Sequence, residues 1–418
     1  MHIFILGSGA REHCLAYYIS KSPMVTQLSV WPGNAGTNNW NIPKPESIEV
    51  LDWIVSLHVD FVLLGSEDGL VKGYVDYLLK EGVLVLGPNQ SGARLEGSKA
   101  FAKTFMERHQ IPTATSKVYT RQERLEAEAY IEQHPLPIVI KADGLAAGKG
   151  VTVAMEREDA RQALRQLWEG NVFGAAGDQV VVEEFLKGRE VSVFVLTDGK
   201  RYCVLPEAMD YKRVGENQQG PNTGGMGAIS PVPFFTENVK KYIINKVIEP
   251  TILGLQKDGI DYRGFIFIGL MVDGDQASVV EYNVRMGDPE TQVVFPRIGE
   301  DCLPMLLEAA KGELTKTEIQ VKPNCAITTV VASAGYPGAY TSGLEIEWPN
   351  DMPAGVQVFC SGVTQKGDQK VTSGGRVVSV TAIGKTLEEA SILSQETAKK
   401  IKFEGAFYRK DIGKIYGD

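Results

Sequence analysis

Over roughly its first 95 residues the chain alternates short apolar runs with polar stretches of helical spacing. HIFIL, QLSVW, FVLLG and VLVLG each end at a Gly, Pro or Ser cluster. Runs of this length, rich in β-formers and separated by helical stretches, predict βαβ units, a parallel sheet covered by helices. From Ser98, SKAFAKTFMERHQ spaces Phe101, Phe105 and His109 at i, i+4 and i+8 and stops before Pro112. That is an amphipathic helix, and it opens a second region. Within about 113–187 the runs PIVIKA, VTVAM and QVVVEEFL surround a helical stretch near residues 160–168. They read as a small α/β module able to move as a lid. From Cys325 the runs CAITTVVAS, VQVFCSGV and GGRVVSVTAIG predict strands, followed by a helix from Thr386. Thr386 and Glu389 have capping-box spacing there, and Ala390, Leu393, Thr397 and Ile401 share one helical face.

The expected fold class is therefore α/β and α+β, multidomain. An N-terminal parallel α/β domain is expected at 1–97, a central domain at 98–320 with its lid at about 113–187, and an α+β C-terminal domain at 321–418. Composition supports this, since 43% hydrophobic and 8% aromatic content over 418 residues supplies several cores. The formal charge of -9 is spread without blocks of one sign, which excludes a basic nucleic-acid stripe. The only apolar run near the start, Ile3 to Leu6, is too short for a signal or a membrane span, so a cytoplasmic protein is expected. Cys14, Cys203, Cys302, Cys325 and Cys360 are odd in number and far apart, which predicts buried free thiols. All five histidines lie in the first third, so a metal bound by the central region would take oxygen ligands and be a hard cation such as Mg²⁺.

Five regions carry candidate chemistry. GSGAREH follows the first apolar run, but Glu12 stands where a dinucleotide fingerprint has its third glycine. Trp31 and Pro32 occupy the end of the second run, where a ribose-binding acid belongs. Hydride chemistry is disfavoured; an anion site at a helix start beside Arg11 remains, as does a plain tight turn. KADGLAAGKG, residues 141–150, is a Gly-rich hairpin with Lys141 and Lys149 at its ends, and Gly144, Gly148 and Gly150 let backbone approach phosphate oxygens. It is not a Walker A loop. VEEFL then offers Glu183, with Phe185 and Leu186 as an apolar slot and Glu190 beyond, although alone it reads more readily as an exposed strand end.

The densest constellation is SVVEYNVRMGDPETQ. On a strand, Glu281, Asn283 and Arg285 share one face and Val280, Tyr282 and Val284 the other. Glu281 and Asn283 suit Mg²⁺, and Arg285 beside them can neutralise charge on a transferred phosphoryl group. A salt-bridged solvent face is the plain alternative. Between these segments lie Asp210-Tyr-Lys-Arg213 and GPNTGGMG, which offer an acid, two cations and a polar glycine loop to a small zwitterion, or form an ordinary surface loop.

Together these segments resemble the ATP-grasp superfamily and, within it, the phosphoribosylamine-glycine ligase family. The resemblance runs along nearly the whole chain through GSGAREH, PGNAGT, LEGSKAFAK, IVIKADGLAAGKGV, VEEFL, DYKRVG, GPNTGGMGA, EYNVRMGDPETQ, GGRV and YRKDIG. It implies an N-terminal domain, an ATP-grasp body with a mobile lid and a closing C-terminal domain. It implies ATP-dependent ligation of glycine to 5-phosphoribosylamine through glycyl phosphate, in purine synthesis. ATP would meet Lys103, Lys141, Gly144, Gly148, Lys149, Glu183, Phe185, Leu186 and Glu190, with Mg²⁺, or Mn²⁺ in its place, on Glu281 and Asn283. Phosphoribosylamine would meet Gly9, Arg11, Glu12, Asn222, Thr223, Gly224, Gly225, Pro289, Glu290 and Thr291, and Asn34 and Lys212 would be further substrate-binding residues. Glycine would lie near Asp210 and Arg285, and Lys141, Asp210 and Arg285 would be the catalytic residues.

The chain departs from the family pattern in three places. Tyr211 stands where the family has His, GSEDGL at 65–70 replaces Gly-Pro-Glu-x-Pro-Leu, and Ala10 replaces a common glycine. The first puts a contact from that ring to substrate in doubt, and the second the rigidity of the loop. The expected partners are small molecules only, with no nucleic acid and no membrane, acting on a monomer or a weak homodimer. A chain ending soon after YRKDIG is expected to be monofunctional. Another ATP-grasp ligase, a nucleotide-binding regulatory module without turnover and a Rossmann oxidoreductase are the competing readings.

Overall fold

The computed structural model describes residues 1–146, 150–169 and 177–416. The first sheet is parallel, in the order Gln27–Pro32, His2–Gly7, Phe61–Leu64, Val85–Leu86. Its strands are apolar on both faces because helices cover both. Ile3 and Ile5 pack with Cys14 and Leu15 of helix Ala10–Ile19, while Phe4 and Leu6 pack with Trp53 and Leu78 on the other side. Helix Lys99–Arg108 follows, capped by Ser98 Oγ, which accepts from the Phe101 N–H at 3.1 Å.

The second sheet is antiparallel, in the order Tyr202–Val204, Arg189–Thr197, Gly264–Asp273, Gln276–Asn283. Its two faces join the two cores of the first sheet. Val193 and Ile268 belong to the core of Phe4, and Phe194 and Phe267 to that of Ile5. Burial of these shared apolar faces locks the two sheets together.

The segment from Ser116 to Glu184 forms a third sheet, in the order Ser116–Thr120, Gln179–Glu184, Ile138–Ala142, Val151–Ala154. One face is sealed by helices Arg124–Gln133 and Arg157–Glu169 around Ile138, Ile140, Leu164, Trp168 and Val182. That core is separate from the others, which is the packing a semi-independent module requires. By strand alternation the opposite face carries Val139, Lys141, Val181 and Glu183, with Val118 and Val153 left exposed.

The fourth sheet holds a finding that the residue pattern did not predict. Its order is Met209–Asp210, Gly227–Ser230, Cys325–Ala332, Arg376–Gly384, Val356–Cys360. Two strands from the middle of the chain thus extend the sheet of its last third. Helix Leu387–Ala398 covers that sheet, and Thr386 Oγ1 accepts from the Glu389 N–H at 3.1 Å. Glu389 returns to the Lys385 N–H at 2.8 Å rather than to Thr386. Ala390 and Thr397 are buried on the inner face, but Ile401 lies beyond the helix end and packs from the following turn into the core of Ala398 and Leu393, while Ala390 belongs to the core of Ile327 and Ile412.

Four cysteines are buried and Cys325 is half-buried; all five are free. Among the described residues no helix is long and apolar enough to cross a membrane.

Candidate active site

The open face of the third sheet looks toward the edge of the second. Lys141, on strand Ile138–Ala142, and Lys103, on helix Lys99–Arg108, converge on one carboxylate. Glu183 lies 2.8 Å from the first ammonium and 3.3 Å from the second. All three are buried. Lys103 also donates to Thr113 Oγ1 and the Ala114 carbonyl, and Lys141 to the Val280 carbonyl at 3.2 Å. Two cations on one anion leave an unbalanced positive charge in a poorly solvated place, which favours an incoming anion. Burial, only partly offset by Glu183, pushes the Lys103 ammonium down to about 8.

The Val280 carbonyl is available to Lys141 because the strand bulges there. Gly269 pairs with Glu281 and Leu270 with Val279, so Val280 is the extra residue. Val280, expected on the face of Tyr282 and Val284, is instead half-buried at the bulge and Val279 takes the core position; beyond the bulge the alternation holds. Tyr282 and Val284 enter the core, and Glu281, Asn283 and Arg285 share the other side. Arg285 is clamped by Glu96 at 2.7 Å and Glu67 at 3.2 Å and donates to Asn283 Oδ1 at 3.3 Å. Neither Glu67 nor Glu96 was singled out from the sequence. Glu67 sits in the altered GSEDGL loop, so that departure keeps the carboxylate that reaches Arg285.

Lys212 lies 2.8 Å from Glu190 and 3.9 Å from Glu281. Burial, reinforced by Glu290, Glu190 and Glu281 and opposed by Lys212, raises the Asp210 carboxyl well above its usual range. Glu290 is also raised, chiefly by burial. Glu281 goes the other way: burial opposes its charge, but Lys212, Lys141 and Lys99 together hold it low. Acid in excess of base around Asp210 suits a cationic ligand, and the ionised Glu281 beside the Asn283 amide suits a divalent cation with oxygen ligands. Among the described residues no group of three or more His, Cys, Asp or Glu side chains stands in metal-binding array. A Mg²⁺ ion fits this donor set if it draws the rest of its shell from phosphate and water, as that ion commonly does.

The N-terminal motif meets this cluster from the other side. Glu12 is buried, accepts from the Gly9 N–H at 2.6 Å and pairs with Arg11 at 2.6 Å. Its side chain fills the space a Cβ would take at Gly7 or Gly65. Arg11 in turn donates to the Met286 carbonyl at 3.2 Å, and its charge, with that of Arg376, helps hold the Asp288 carboxyl low. Arg376, of the GGRV segment, donates to the Gly224 and Asp288 carbonyls at 2.7 Å each and lies 3.5 Å from the Asp288 carboxylate. Gly225 has φ +107°, and a Cβ there would fall 2.4 Å from Pro289, so only glycine lets the two loops touch. Asn222 lies on strand Gln219–Asn222 beside them.

Several expected ligands are already engaged within the protein. Asn34 donates to the Ser8 and Cys360 carbonyls, Thr223 to Lys212 and Thr291 to Gly287. Their side chains shape the loops, which leaves backbone groups to face a ligand. Phe185 and Leu186 lie at the exposed end of strand Gln179–Glu184, as the plainer reading had it, next to the open apolar face. Gly148 and Lys149 fall outside the described residues. Gly144 accepts at its carbonyl from the Lys99 ammonium at 3.1 Å, and the neighbouring Asp143 carboxylate accepts from the Ala100 N–H at 2.7 Å and from Ser98 Oγ. Lys99, Asp143 and Asp288 are further site residues that sequence reasoning missed, although each lies inside a motif already singled out.

Tyr211 points away from all of this. Its ring is buried among Ile229, Ile327 and Ile412, and its hydroxyl donates to the Lys414 carbonyl and accepts from the Gly413 N–H, both at 3.0 Å. Tyr211→Phe is expected to cost about 1–3 kcal/mol by stranding those groups, measured by urea denaturation.

The family models for the phosphoribosylglycinamide synthetase N domain, ATP-grasp (A) domain and C domain match residues 1–96, 97–291 and 326–415. A phosphoribosylamine–glycine ligase of Chlorobaculum tepidum is 44% identical over 99% of both chains. One of Vibrio cholerae is 43% identical over 99% of this chain and 98% of its own. The crystal structure of the phosphoribosylamine–glycine ligase of Thermotoga maritima superposes with a TM-score of 0.87 at 35% identity, covering 99% of this chain and all of that one. The biotin carboxylase domain of Hydrogenobacter thermophilus 2-oxoglutarate carboxylase, solved with MgADP, shares the fold at TM-score 0.75 and 16% identity.

Proposed function

The chain belongs to the phosphoribosylglycinamide synthetase family, and from that premise we propose how its own residues run the ATP-dependent ligation of glycine to 5-phosphoribosylamine. The products are glycinamide ribonucleotide, ADP and phosphate. The observation that carries the reading is the juxtaposition of the Lys103–Glu183–Lys141 group with the Glu281–Asn283–Arg285 face, joined by Lys141 and the Val280 carbonyl.

In this reading the adenine lies on the open face of the third sheet near Phe185 and Leu186, and Lys103, Lys141 and Lys149 meet the phosphates. Glu183 acts through the two lysines it orients. Bound Mg²⁺, or Mn²⁺ in its place, would be held by Glu281 and Asn283 and would neutralise phosphate charge. The glycine ammonium lies at Asp210 and its carboxylate toward Arg285. That carboxylate attacks the γ-phosphorus, ADP leaves, and glycyl phosphate forms. The amine of phosphoribosylamine then attacks the acyl carbon and phosphate departs. Glu290, whose proton affinity burial raises, stands ready for the proton the amine releases. A carboxylate is a poor acylating agent and a mixed anhydride a good one, so the site's task is charge stabilisation and exclusion of water. The reading includes a cytoplasmic location and small-molecule partners only.

The deciding experiment measures phosphate release from ATP with Mg²⁺, glycine and freshly generated phosphoribosylamine, each omitted in turn. Release that needs both co-substrates, with glycinamide ribonucleotide identified by mass, is the expected result. ATP binding without release would favour a regulatory module. Glu281→Ala is expected to lower turnover about 10²–10³-fold with the circular dichroism spectrum unchanged. Near-normal turnover at ordinary Mg²⁺ would remove Glu281 from the metal site.

A pH effect follows from Lys103. Its charge is present below about 8 and lost above it, so KM for ATP is expected to rise several-fold between pH 7 and 9. For stability the sign is opposite. A lysine depressed from 10.5 to about 8 holds fewer protons folded than unfolded in that window, so its contribution becomes more favourable as pH rises.

A further inference from the structure

Arg11 turns to Met286 at the site just described, while His13, two residues on, turns to Cys360 in the last third of the chain. Beside His13, between the 34–39 loop and strand Val356–Cys360, lies a cavity of about 550 Å³. Its polar wall is His13, Asn38, Asn39, Gln357 and Lys370, and Val356 and Val358 are among its apolar lining. Among the described residues no acidic side chain lines it, in a chain whose formal charge is -9.

Two groups there lack the partners they could take. His13 Nδ1 accepts from the Cys360 N–H at 2.9 Å, so the proton of the neutral ring is on Nε2, which has no partner among the described residues. The ring is neutral at pH 7 because burial, helped by Lys370, pushes it down to about 4. The Lys370 ammonium lies over the Trp348 ring, 4.7 Å from its centre, and has no carboxylate partner among the described residues. A cation and an N–H donor with no acid nearby suit a phosphomonoester. Three amide side chains, each donor and acceptor at once, suit the edge of a heteroaromatic base, and the volume is that of a site for a molecule of nucleotide size.

We propose that this cavity is a second ligand site, for a nucleoside monophosphate. The phosphate lies at Lys370 and His13 Nε2, and the base lies against Asn38, Asn39 and Gln357 with Val356 and Val358 beneath it. None of Lys370, Gln357 and Trp348 is among the residues assigned to the ligation, so the site stands or falls independently of the reaction proposed above.

The test titrates adenosine 5′-monophosphate into the full chain while Mg²⁺ and a non-hydrolysable ATP analogue fill the main site. The readout is the indole N–H resonance of Trp348, identified by its loss in Trp348→Phe. A saturable shift is expected, half-complete at or below about 1 mM and about tenfold weaker in Lys370→Glu. Gln357→Leu is expected to weaken the monophosphate but not inorganic phosphate, and basal turnover of both variants should match the parent. The absence of a saturable shift, or equal affinity in Lys370→Glu, would overturn the site. Inorganic phosphate binding as tightly as the monophosphate would overturn its assignment to a nucleotide.

Discussion

Lys141→Ala is expected to lower turnover about 10²–10³-fold, the loss seen when one preorganised charge at a developing transition state is removed. The side chain leaves two positions at once. Its ammonium is 2.8 Å from Glu183 and 3.2 Å from the Val280 carbonyl, so it links the third sheet to the bulge beside Glu281. Lys103 remains 3.3 Å from Glu183 in the variant, and the buried carboxylate therefore keeps a cation. The fold should persist, with an unchanged circular dichroism spectrum and an urea midpoint close to the parent's. Steady-state kinetics would show the loss mainly in kcat, because an interaction made in the transition state is missing rather than one that only holds substrate. Turnover within a few-fold of the parent would remove Lys141 from the reaction.

Arg285→Met is expected to fail in both respects. The guanidinium is the cation between Glu96 and Glu67, at 2.7 Å and 3.2 Å. Removing one partner of a buried ionic group costs about 3–5 kcal/mol, and the loss of a charge facing the phosphoryl group should again lower turnover about 10²–10³-fold. The stability loss should depend on pH in a definite direction. Glu96 is already raised by burial against the pull of Arg285. Without the arginine it rises further, so the folded form holds a proton that the unfolded chain has released. Stability of the variant should therefore fall as pH rises from about 4, the carboxylate value in an unfolded chain, through the raised value. Urea unfolding at pH 5 and pH 8 measures it. A pH-independent loss would mean that Glu96 finds another cation.

Expectations that rest on local period and local chemistry agree with the structure. The alternation in HIFIL and FVLLG places Ile3 and Phe4 on opposite faces of a parallel sheet. The spacing of Glu281, Asn283 and Arg285 puts them on one face, and the bulge that could have broken the pattern falls one residue earlier, at Val280. Ser98 and Thr386 cap the helices they precede. Each of these follows from steric and hydrogen-bonding rules that act within a few residues. Ile401 marks the limit of such rules: its spacing continues the helical face, but the helix stops at Ala398 and a turn delivers the side chain to the core.

The residues missed from sequence share one trait, in that their partners are remote along the chain. Glu67 and Glu96 are ordinary surface acids by composition until folding brings both to Arg285. Asp288 gains its importance from Arg376 and Arg11, which come from the two ends of the chain. Tyr211 is a doubtful substitution within a motif until the structure turns its ring to the Lys414 carbonyl and away from the site. By itself, then, the sequence determined the family through its ordered motifs, and the element types and the faces of the strands because these depend on near neighbours. Only the tertiary structure decided which charges neutralise one another, which side chains are spent on holding loops, and that the last sheet borrows strands from the middle of the chain. Those outcomes depend on burial and on distance in space, and neither quantity is a property of any single stretch of sequence.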